Sequence, residues 1–360
     1  MGLFLKGVRS VAASITVVCA LVVCAEAGAQ TQRQSSPASQ KLATEDAVPA
    51  ILAAFDKYEV VALPEAHGQK DLDDFILLLL RNPEFPGRVN DIAVECGNSL
   101  YQPILDRYVA GEDVPFTEVQ KVWRNTTQEM CGMSGFFEQF FPLVRAINQK
   151  LPSGKRLRVL AGDTPINWDL VKGPQDFTQF LSNRDVSIAS VMGKEVFSKH
   201  RKALMLFGTF HLLHVGPASA VSIYEKDYPN LTFVINPLDV FSNFSDSVQS
   251  GILATWPIPS LAWAKGTWLG ALDLSHFLPR PMILDKDCKV HNEFPKDLQG
   301  AMSDLVDAFL YLGPQDLTLK EQVPADIALD ADYMKELDRR AQLQLRGGPI
   351  RTLNERDHRL

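Results

Sequence analysis

The sequence predicts an α/β fold, with a predominantly parallel central sheet and helices on both of its faces. Short apolar runs recur along the chain at 58–63, 91–96, 157–161, 203–207, 231–235, 281–284 and 307–312. Helix-like segments lie between several of these runs, at 71–81, 135–149, 174–200 and 217–226. Continuous apolar runs separated by helices are typical of a parallel sheet that is covered on both faces.

A single α/β domain is predicted for residues 41–345, because the alternation of runs and helices continues through that range. Residues 236–280 are richer in Pro, Trp and Ser and less periodic, so we expect an irregular insertion or lid there. Residues 30–40 are rich in Gln and Ser and predict a disordered lead-in. Residues 346–360 are expected to form a flexible tail.

The first 29 residues have the features of an export signal. Lys6 and Arg9 give a charged start, residues 11–25 an apolar core too short to span a bilayer as a mature helix, and residues 27–29 a small-residue cleavage site. A lipoprotein signal at Cys24 is the alternative, although Val23 is bulkier than the residue expected before a modified cysteine. We therefore expect an exported protein, periplasmic or extracellular, with no membrane span once the signal is removed.

Charge and cysteine content narrow the classes of function. The formal net charge of −7 argues against nucleic acid and against anionic membranes as partners. Cys96, Cys131 and Cys288 follow the signal without C-x-x-C spacing, so one disulfide can form but a cysteine zinc site is not suggested. The sequence decides neither which cysteines pair nor the oligomeric state.

Several common catalytic motifs are absent from the sequence. There is no G-x-S-x-G elbow, Walker loop, G-x-G-x-x-G or H-E-x-x-H. The segment 285–291 contains potential metal ligands, but its alternating charges are typical of a solvated loop. A serine hydrolase of the elbow type and a nucleotide-binding enzyme are therefore disfavoured.

Polar side chains follow four of the apolar runs, at the points where the strands should end. Because the carboxyl ends of parallel strands meet at one edge of a sheet, where ligands bind, we expect these side chains to converge. They are, in chain order, Glu65, His67, Glu95, Asp163, His211 and His214.

Glu65 and His67 point to the same side of an extended segment, which suits a carboxylate that orients an imidazole base. The alternative is an ordinary polar turn. Glu95 ends a buried run, so it either pairs with a buried cation or faces the crevice. His211 and His214 would share a face of one helical turn, as two metal ligands or as a base and an electrophile.

Further residues are candidates for substrate binding. Asp163 could bind substrate or pair with Arg124 or Arg145, two arginines flanked by apolar residues. Trp168 offers an aromatic wall. Asn98 and Tyr101 could add neutral hydrogen-bond donors, although helix capping and ordinary surface are the simpler explanations for them.

These motifs resemble the superfamily of erythromycin esterases, ChaN-like haem-uptake proteins and Tiki/TraB-type proteins, in a bacterial branch. The resemblance rests on "PEAH" (64–67), on Glu95, and on "GTFH" (208–211), and it covers roughly residues 60–313. The family's first motif usually reads G-E-x-H or G-E-x-x-H. Here Pro64 stands in place of the glycine.

The resemblance implies three different activities for the same residues. Similarity to the esterases implies that His67 activates water, that Glu65 and Glu95 orient it, that His211 and His214 are site histidines, and that no metal is required. The Tiki branch instead implies a divalent cation held by His67, Glu95 and His211. ChaN-like relatives imply haem-iron binding without hydrolysis, and fold analogy alone does not choose among the three.

The leading hypothesis from the sequence is an exported hydrolase that cleaves an ester or related acyl bond of a small molecule and uses no cofactor. In it, His211 and His214 stabilise the oxyanion or protonate the leaving group. A haem or divalent-metal binding protein is the second hypothesis. The third is an inactive scaffold in which Glu65, Glu95 and Asp163 only neutralise arginines.

Overall fold

A computed structural model of the chain describes residues 42–216, 219–238, 242–278 and 296–343, with short pieces at 283–284, 290–291 and 294. The predicted signal, lead-in and tail, together with Cys288, lie outside the described residues. Among the described residues, no helix is long and apolar enough to cross a membrane.

The centre of the molecule is a mixed, mostly parallel sheet of eight strands. Their order across the sheet is β1-β7-β10-β6-β2-β5-β3-β4. A separate hairpin consists of β8 and β9. The strands are β1 (Thr44–Asp46), β2 (Val60–Pro64), β3 (Asp91–Asn98), β4 (Arg158–Asp163), β5 (Ala203–Phe207), β6 (Thr232–Leu238), β7 (Ser260–Trp263), β8 (Ile283–Leu284), β9 (Val290–His291) and β10 (Ala308–Tyr311).

The prediction of a parallel sheet is confirmed for β2 to β6 and β10, because every pair of neighbours among these six strands is parallel. β7 pairs antiparallel with both β10 and β1. Neither β1 nor β7 was expected, because each is short and β1 has no apolar run. The run at 281–284 was expected in the sheet, whereas among the described residues β8 pairs with β9 alone.

Fifteen α-helices are described, thirteen of them before β10 and two after it. They are α1 (Ala47–Ala54), α2 (Lys70–Arg81), α3 (Phe85–Arg88), α4 (Gln102–Ala110), α5 (Phe116–Arg124), α6 (Glu129–Gly132), α7 (Gly135–Gln149), α8 (Pro174–Ser182), α9 (Arg184–Glu195), α10 (Thr209–Leu212), α11 (Ala220–Tyr224), α12 (Asp246–Gly251), α13 (Met302–Leu305), α14 (Ala325–Leu329) and α15 (Ala331–Leu343).

Alternate residues of the strands face two separate cores, as period-two geometry requires. In β2, Val61 and Leu63 pack into one core together with α1, α2 and α7. Val60 and Ala62 pack into the other, with α9 and α11. Both faces of the sheet are therefore buried, and this explains why the strands read as continuous apolar runs.

The described part of 236–280 differs from the irregular insertion or lid that was expected there. It contributes β7 to the sheet, and buried side chains such as Trp256, Leu269 and Phe277 pack into the core beside β10. Its low periodicity has a physical reason: the segment consists of short elements, among them α12, β7 and two 3-10 turns, none of which is long enough to repeat a pattern.

The free edge of β4 is covered by two side-chain amides. The amide of Gln102 donates to the carbonyl of Val159 and accepts from the backbone N–H of Ala161, both at 2.8 Å. Asn148 makes the same pair of bonds to the backbone of Leu157. An edge paired in this way is less open to other strands.

Candidate active site

Glu65 and His67 lie at the carboxyl end of β2. Pro64 is the last strand residue, aligned with Phe207 of β5, and Glu65 extends the pairing by donating its backbone N–H to the carbonyl of Phe207 at 3.0 Å. Oε2 of Glu65 then lies 2.8 Å from Nδ1 of His67, in an ion-pair contact that is not aligned as a hydrogen bond. Gly68, at φ 86°, turns the chain towards α2.

Glu95 lies where β3 becomes irregular. The pairing of β3 with β4 shifts register between Val94 and Asn98, and irregularities of this kind re-aim side chains beside functional sites. The side chain of Glu95 is 4% exposed, and its Oε1 is 3.9 Å from Nε2 of His67. Its Oε2 accepts the backbone N–H of Gly208, at the end of β5.

The buried cation beside Glu95 is Arg184, the first residue of α9. Its guanidinium donates to Oε1 of Glu95 at 2.6 Å and to Oδ1 of Asp163 at 3.0 Å, and its side chain is 5% exposed. The sequence analysis did not single out Arg184. The available signal was the adjacent pair Arg184 and Asp185 inside a segment that was expected to be one continuous helix.

His211 joins the same cluster from the single turn of α10. Its Nδ1 lies 2.7 Å from Oδ1 of Asp185, and its Nε2 lies 3.3 Å from Nη1 of Arg184 and 3.8 Å from Oε1 of Glu95. Because the guanidinium can only donate, Nε2 accepts and Nδ1 carries the proton. His211 therefore supports Arg184 through Nε2.

His214 does not join the cluster, which corrects the expectation of two site histidines on one helical face. α10 ends at Leu212, so His214 lies beyond the turn that was expected to carry both histidines. Its Nδ1 contacts Glu225 and its Nε2 contacts Asp307, each at 2.9 Å. Burial lowers the pKa of His214, but these carboxylates outweigh it and raise the pKa to about 9.

The surrounding charges set the protonation of His67 and Glu95. Burial lowers the pKa of His67, but Glu65 and then Glu95 outweigh it and hold the pKa well above its usual value. Burial raises the pKa of Glu95, but Arg184 above all holds it well below the usual range. These charges therefore favour the imidazolium form of His67 in the free protein.

A further acidic side chain faces this pair from α2. Asp73 is buried, and neither of its oxygens has a hydrogen-bond partner among the described residues. Burial first, and then the charges of Glu65 and Glu321, raise the pKa of Asp73 to about 9. Asp73 is therefore a neutral carboxylic acid at pH 7.

Asp163, Asn98, Trp168 and Tyr101 form a layer behind the site. Asp163 accepts from the backbone N–H and hydroxyl of Thr127 as well as from Arg184. The amide of Asn98 donates to two backbone carbonyls, and the indole of Trp168 donates to a third. The hydroxyl of Tyr101 accepts from the amide of Asn125. These contacts brace loops, and substrate contact by these residues stays a prediction.

Arg124 and Arg145 lie away from the cluster, and Arg184 is the arginine that pairs with Asp163. Arg124 pairs with Glu138 at 3.0 Å. Arg145 donates to backbone carbonyls at the end of α4, including that of Gly111 at 3.0 Å. The spacing of apolar residues indicated that these arginines are partly buried, but not which groups neutralise them.

Cys96 and Cys131 form a disulfide, which ties the end of β3 to α6. One ring nitrogen of His67 and the two sulfurs all lie within 4.8 Å of one another, and they are the one set of potential metal ligands of this kind among the described residues. His67, Glu95 and His211 do not form such a set. The guanidinium of Arg184 bonds to both Glu95 and His211, so the ligands suggested by the Tiki resemblance do not fit a metal.

Fold and site together define an α/β protein with a charged cluster at the carboxyl edge of its sheet. No family model matches the chain, and no curated protein matches it by sequence. Solved structures do match. A succinoglycan biosynthesis protein is 9% identical, with 77% of this chain and 92% of that chain covered and a TM-score of 0.49.

An erythromycin esterase, EreC, is 10% identical, with 74% of this chain and 93% of that chain covered and a TM-score of 0.46. ChaN of Campylobacter jejuni, solved with haem bound cofacially, is 14% identical, with 52% and 84% covered and a TM-score of 0.31. At such distances, a function for this chain has to be argued from its own site.

Proposed function

We propose that the protein is a hydrolase that cleaves an ester or related acyl bond of a small molecule with a water activated by His67. The observation that carries the proposal is the dyad of Glu65 and His67, with a contact of 2.8 Å at Nδ1, beside the carboxylate of Glu95. A buried carboxylate at Nδ1 orients the ring and strengthens the base, which leaves Nε2 to act.

The gap between Nε2 of His67 and Oε1 of Glu95 is 3.9 Å, which is too long for a direct hydrogen bond. Polar groups at such a separation are commonly bridged by water. We assign the attacking water to this gap, where Glu95 orients it and His67 removes its proton. The side chain of His67 is 21% exposed, so substrate can approach from the crevice.

Arg184 supplies positive charge beside the reacting centre. It is buried, and its position is fixed by Glu95, Asp163 and His211. A fixed charge in a site with little water stabilises a developing oxyanion without reorganisation. In this account His211 positions Arg184 instead of stabilising the oxyanion itself, and His214 has no role in the reaction.

A small cavity at the same edge of the sheet suits an apolar part of the substrate. It has a volume of about 180 Å³, and its lining begins at Gln69, two positions after His67 in the chain. Its other lining residues include Leu72, Leu238, Leu312 and Leu317. We therefore expect substrates that carry a compact apolar group.

Haem binding stays a prediction, since none of the described contacts favours it. We further propose that the protein is exported and acts on a small molecule. The signal-like first 29 residues suggest that it acts outside the cytoplasm, and its acidic net charge argues against nucleic acid and anionic membranes as partners.

The proposal is tested with purified protein on a panel of small esters that differ in the size of the apolar group. We expect turnover by the wild type and a loss of about 10²-fold to 10⁴-fold in His67→Asn, the range attributed to general base catalysis. The matched control is His200→Asn, because His200 is an exposed histidine in the left-handed region, which asparagine tolerates. Equal activity in both variants would contradict the proposal.

A further inference from the structure

The disulfide of Cys96 and Cys131 lies directly against the proposed catalytic histidine. The two sulfurs and one ring nitrogen of His67 lie within 4.8 Å of one another. Both cysteines are fully buried, whereas His67 reaches the crevice. The oxidised sulfurs cannot bind a metal as thiolates, so the state of this bond decides what the three side chains can do.

We propose that His67, Cys96 and Cys131 bind a zinc ion when the disulfide is reduced, which gives the chain a redox-gated metal site. Two thiolates and one imidazole are a ligand set that zinc adopts with a fourth position left open. The open fourth position of the zinc ion would face the crevice, on the exposed side of His67. These ligands differ from the set that the Tiki resemblance suggested.

The zinc site forms when a dithiol reduces the disulfide between Cys96 and Cys131. The dithiol supplies two electrons and becomes a disulfide, the bond between Cys96 and Cys131 breaks, and each sulfur takes one proton. Zinc then displaces both thiol protons to solvent. The two thiolate charges neutralise the charge of the ion, which makes a largely buried site tolerable.

The neighbours of His67 favour a cation at this place. Glu65 contacts Nδ1 at 2.8 Å, and a carboxylate beside a ligating histidine orients the ring and raises its basicity. Glu95 lies 3.9 Å from Nε2. Arg184 donates to the same Oε1 of Glu95 and to Oδ1 of Asp163, so these two carboxylates balance its charge, and Glu65 is the carboxylate left beside the ligating ring.

Zinc bound in this way would compete with hydrolysis, since it engages the ring that removes a proton from water. This consequence rests on the proposed function. The oxidised chain would be the active hydrolase, and the reduced chain would lose turnover when zinc is added. Metal binding itself does not depend on the proposed function, and its measurement needs no substrate.

The test compares the oxidised chain with the chain reduced by a phosphine, which does not bind zinc as dithiols do. Both are mixed with zinc chloride, freed of unbound metal, and analysed for zinc, and cobalt is substituted to look for thiolate-to-cobalt absorption. We expect about one zinc per reduced chain and none on the oxidised chain. Zinc should also raise the Tm of the reduced chain alone.

Variants assign the ligands. His67→Asn and the double variant Cys96→Ser/Cys131→Ser should lose the zinc, whereas Cys288→Ser and His200→Asn should keep it. If the folded disulfide resists reduction, the chain is reduced in denaturant and refolded with zinc. Reduced protein without stoichiometric zinc, zinc retained in His67→Asn, or equal binding by the oxidised chain would each overturn the proposal. Turnover of the oxidised chain tests the hydrolase separately.

Discussion

Arg184 is the residue on which the site depends most. Its guanidinium is the positive charge that bonds to two buried carboxylates, Glu95 and Asp163, and to the ring of His211. Removing one partner of a buried ion pair leaves an uncompensated charge, which costs far more than the pair itself contributes.

We therefore expect Arg184→Met to lower the free energy of unfolding by about 3–5 kcal/mol and to abolish turnover. The control is Arg107→Met, because Arg107 forms an exposed pair with Glu112 whose loss should cost less than about 1 kcal/mol. Urea denaturation of the wild type and the two variants measures the two changes in the free energy of unfolding, and an ester assay measures turnover. Similar values for the two variants would contradict the role assigned to Arg184.

Asp73 gives a pH-dependent prediction. Its pKa in the folded protein is about 9, whereas it is near 3.8 in an unfolded chain. Below the lower value both states are protonated, and between the two values the unfolded state alone ionises. Asp73 therefore lowers stability progressively as pH rises from about 4 to 9.

Asp73→Asn should remove that loss, so the variant becomes more stable than the wild type as pH rises above about 5. Asp74→Asn is the matched control, because Asp74 is exposed and contacts Lys70 at the surface. Thermal melts between about pH 4 and 9 would show the difference. A wild type and Asp73→Asn with parallel profiles would argue against a buried, protonated Asp73.

At the residue scale, the sequence predicted part of this site. Glu65, His67, Glu95 and His211 were found because each follows an apolar run, and strand ends are recognisable from local pattern alone. Arg184 was missed because its importance comes from partners 89 and 21 residues away, which no local pattern encodes. His214 was assigned wrongly for a related reason: the end of a four-residue helix is not readable from spacing.

The element that aims Glu95 is the irregular end of β3. Gly97 lies within it, and a Cβ there would come 2.8 Å from the Cα of Ala161 in β4. A glycine at this position lets the two backbones approach closely while the register shifts. The position of Glu95 therefore depends on a residue that carries no functional group.

Gly97→Ala should push β3 away from β4, lower stability by about 1–3 kcal/mol, and reduce kcat because Glu95 moves. Gly87→Ala is the control, since Gly87 is helical and a Cβ there meets nothing within 4 Å. That substitution should be neutral or slightly stabilising. Unaltered kcat in Gly97→Ala would show that the close approach does not aim Glu95.

Helix boundaries explain another part of what the sequence did not predict. The segment 174–200 was expected as one helix, but α8 ends at Ser182 and α9 begins at Arg184. The break at Asn183 brings Arg184 and Asp185 into the first turn of α9, where both face the site. By contrast α7 coincides with its predicted range, 135–149, because a capping serine and a dense apolar stripe mark it clearly.

At the scale of the whole molecule, the sheet brings together residues that the chain separates. The order β2-β5-β3-β4 places the ends of four strands side by side, so the residues that follow them meet at one edge. The disulfide between Cys96 and Cys131 adds a covalent tie across 35 residues at that edge. The fold class was predictable from periodicity, while β1 and β7 were too short to recognise.

Removing the tie should destabilise the whole chain. We expect the double variant Cys96→Ala/Cys131→Ala to lose about 2–4 kcal/mol in denaturant unfolding with a chelator present. Cys288→Ala serves as the control for loss of a cysteine that takes no part in this disulfide. An equal midpoint for all three proteins would mean that the disulfide does not stabilise the folded state.

The central claim is that His67 acts as a base whose pKa is set by Glu65, and the pH dependence of kcat/KM tests it most directly. Because Glu65 and Glu95 raise the pKa of His67 above 6.5, the unprotonated base becomes more abundant as pH rises. We predict that kcat/KM rises with a midpoint above 6.5, and that Glu65→Gln moves this midpoint to lower pH. A profile that falls with pH, or a midpoint unchanged in Glu65→Gln, would contradict the account.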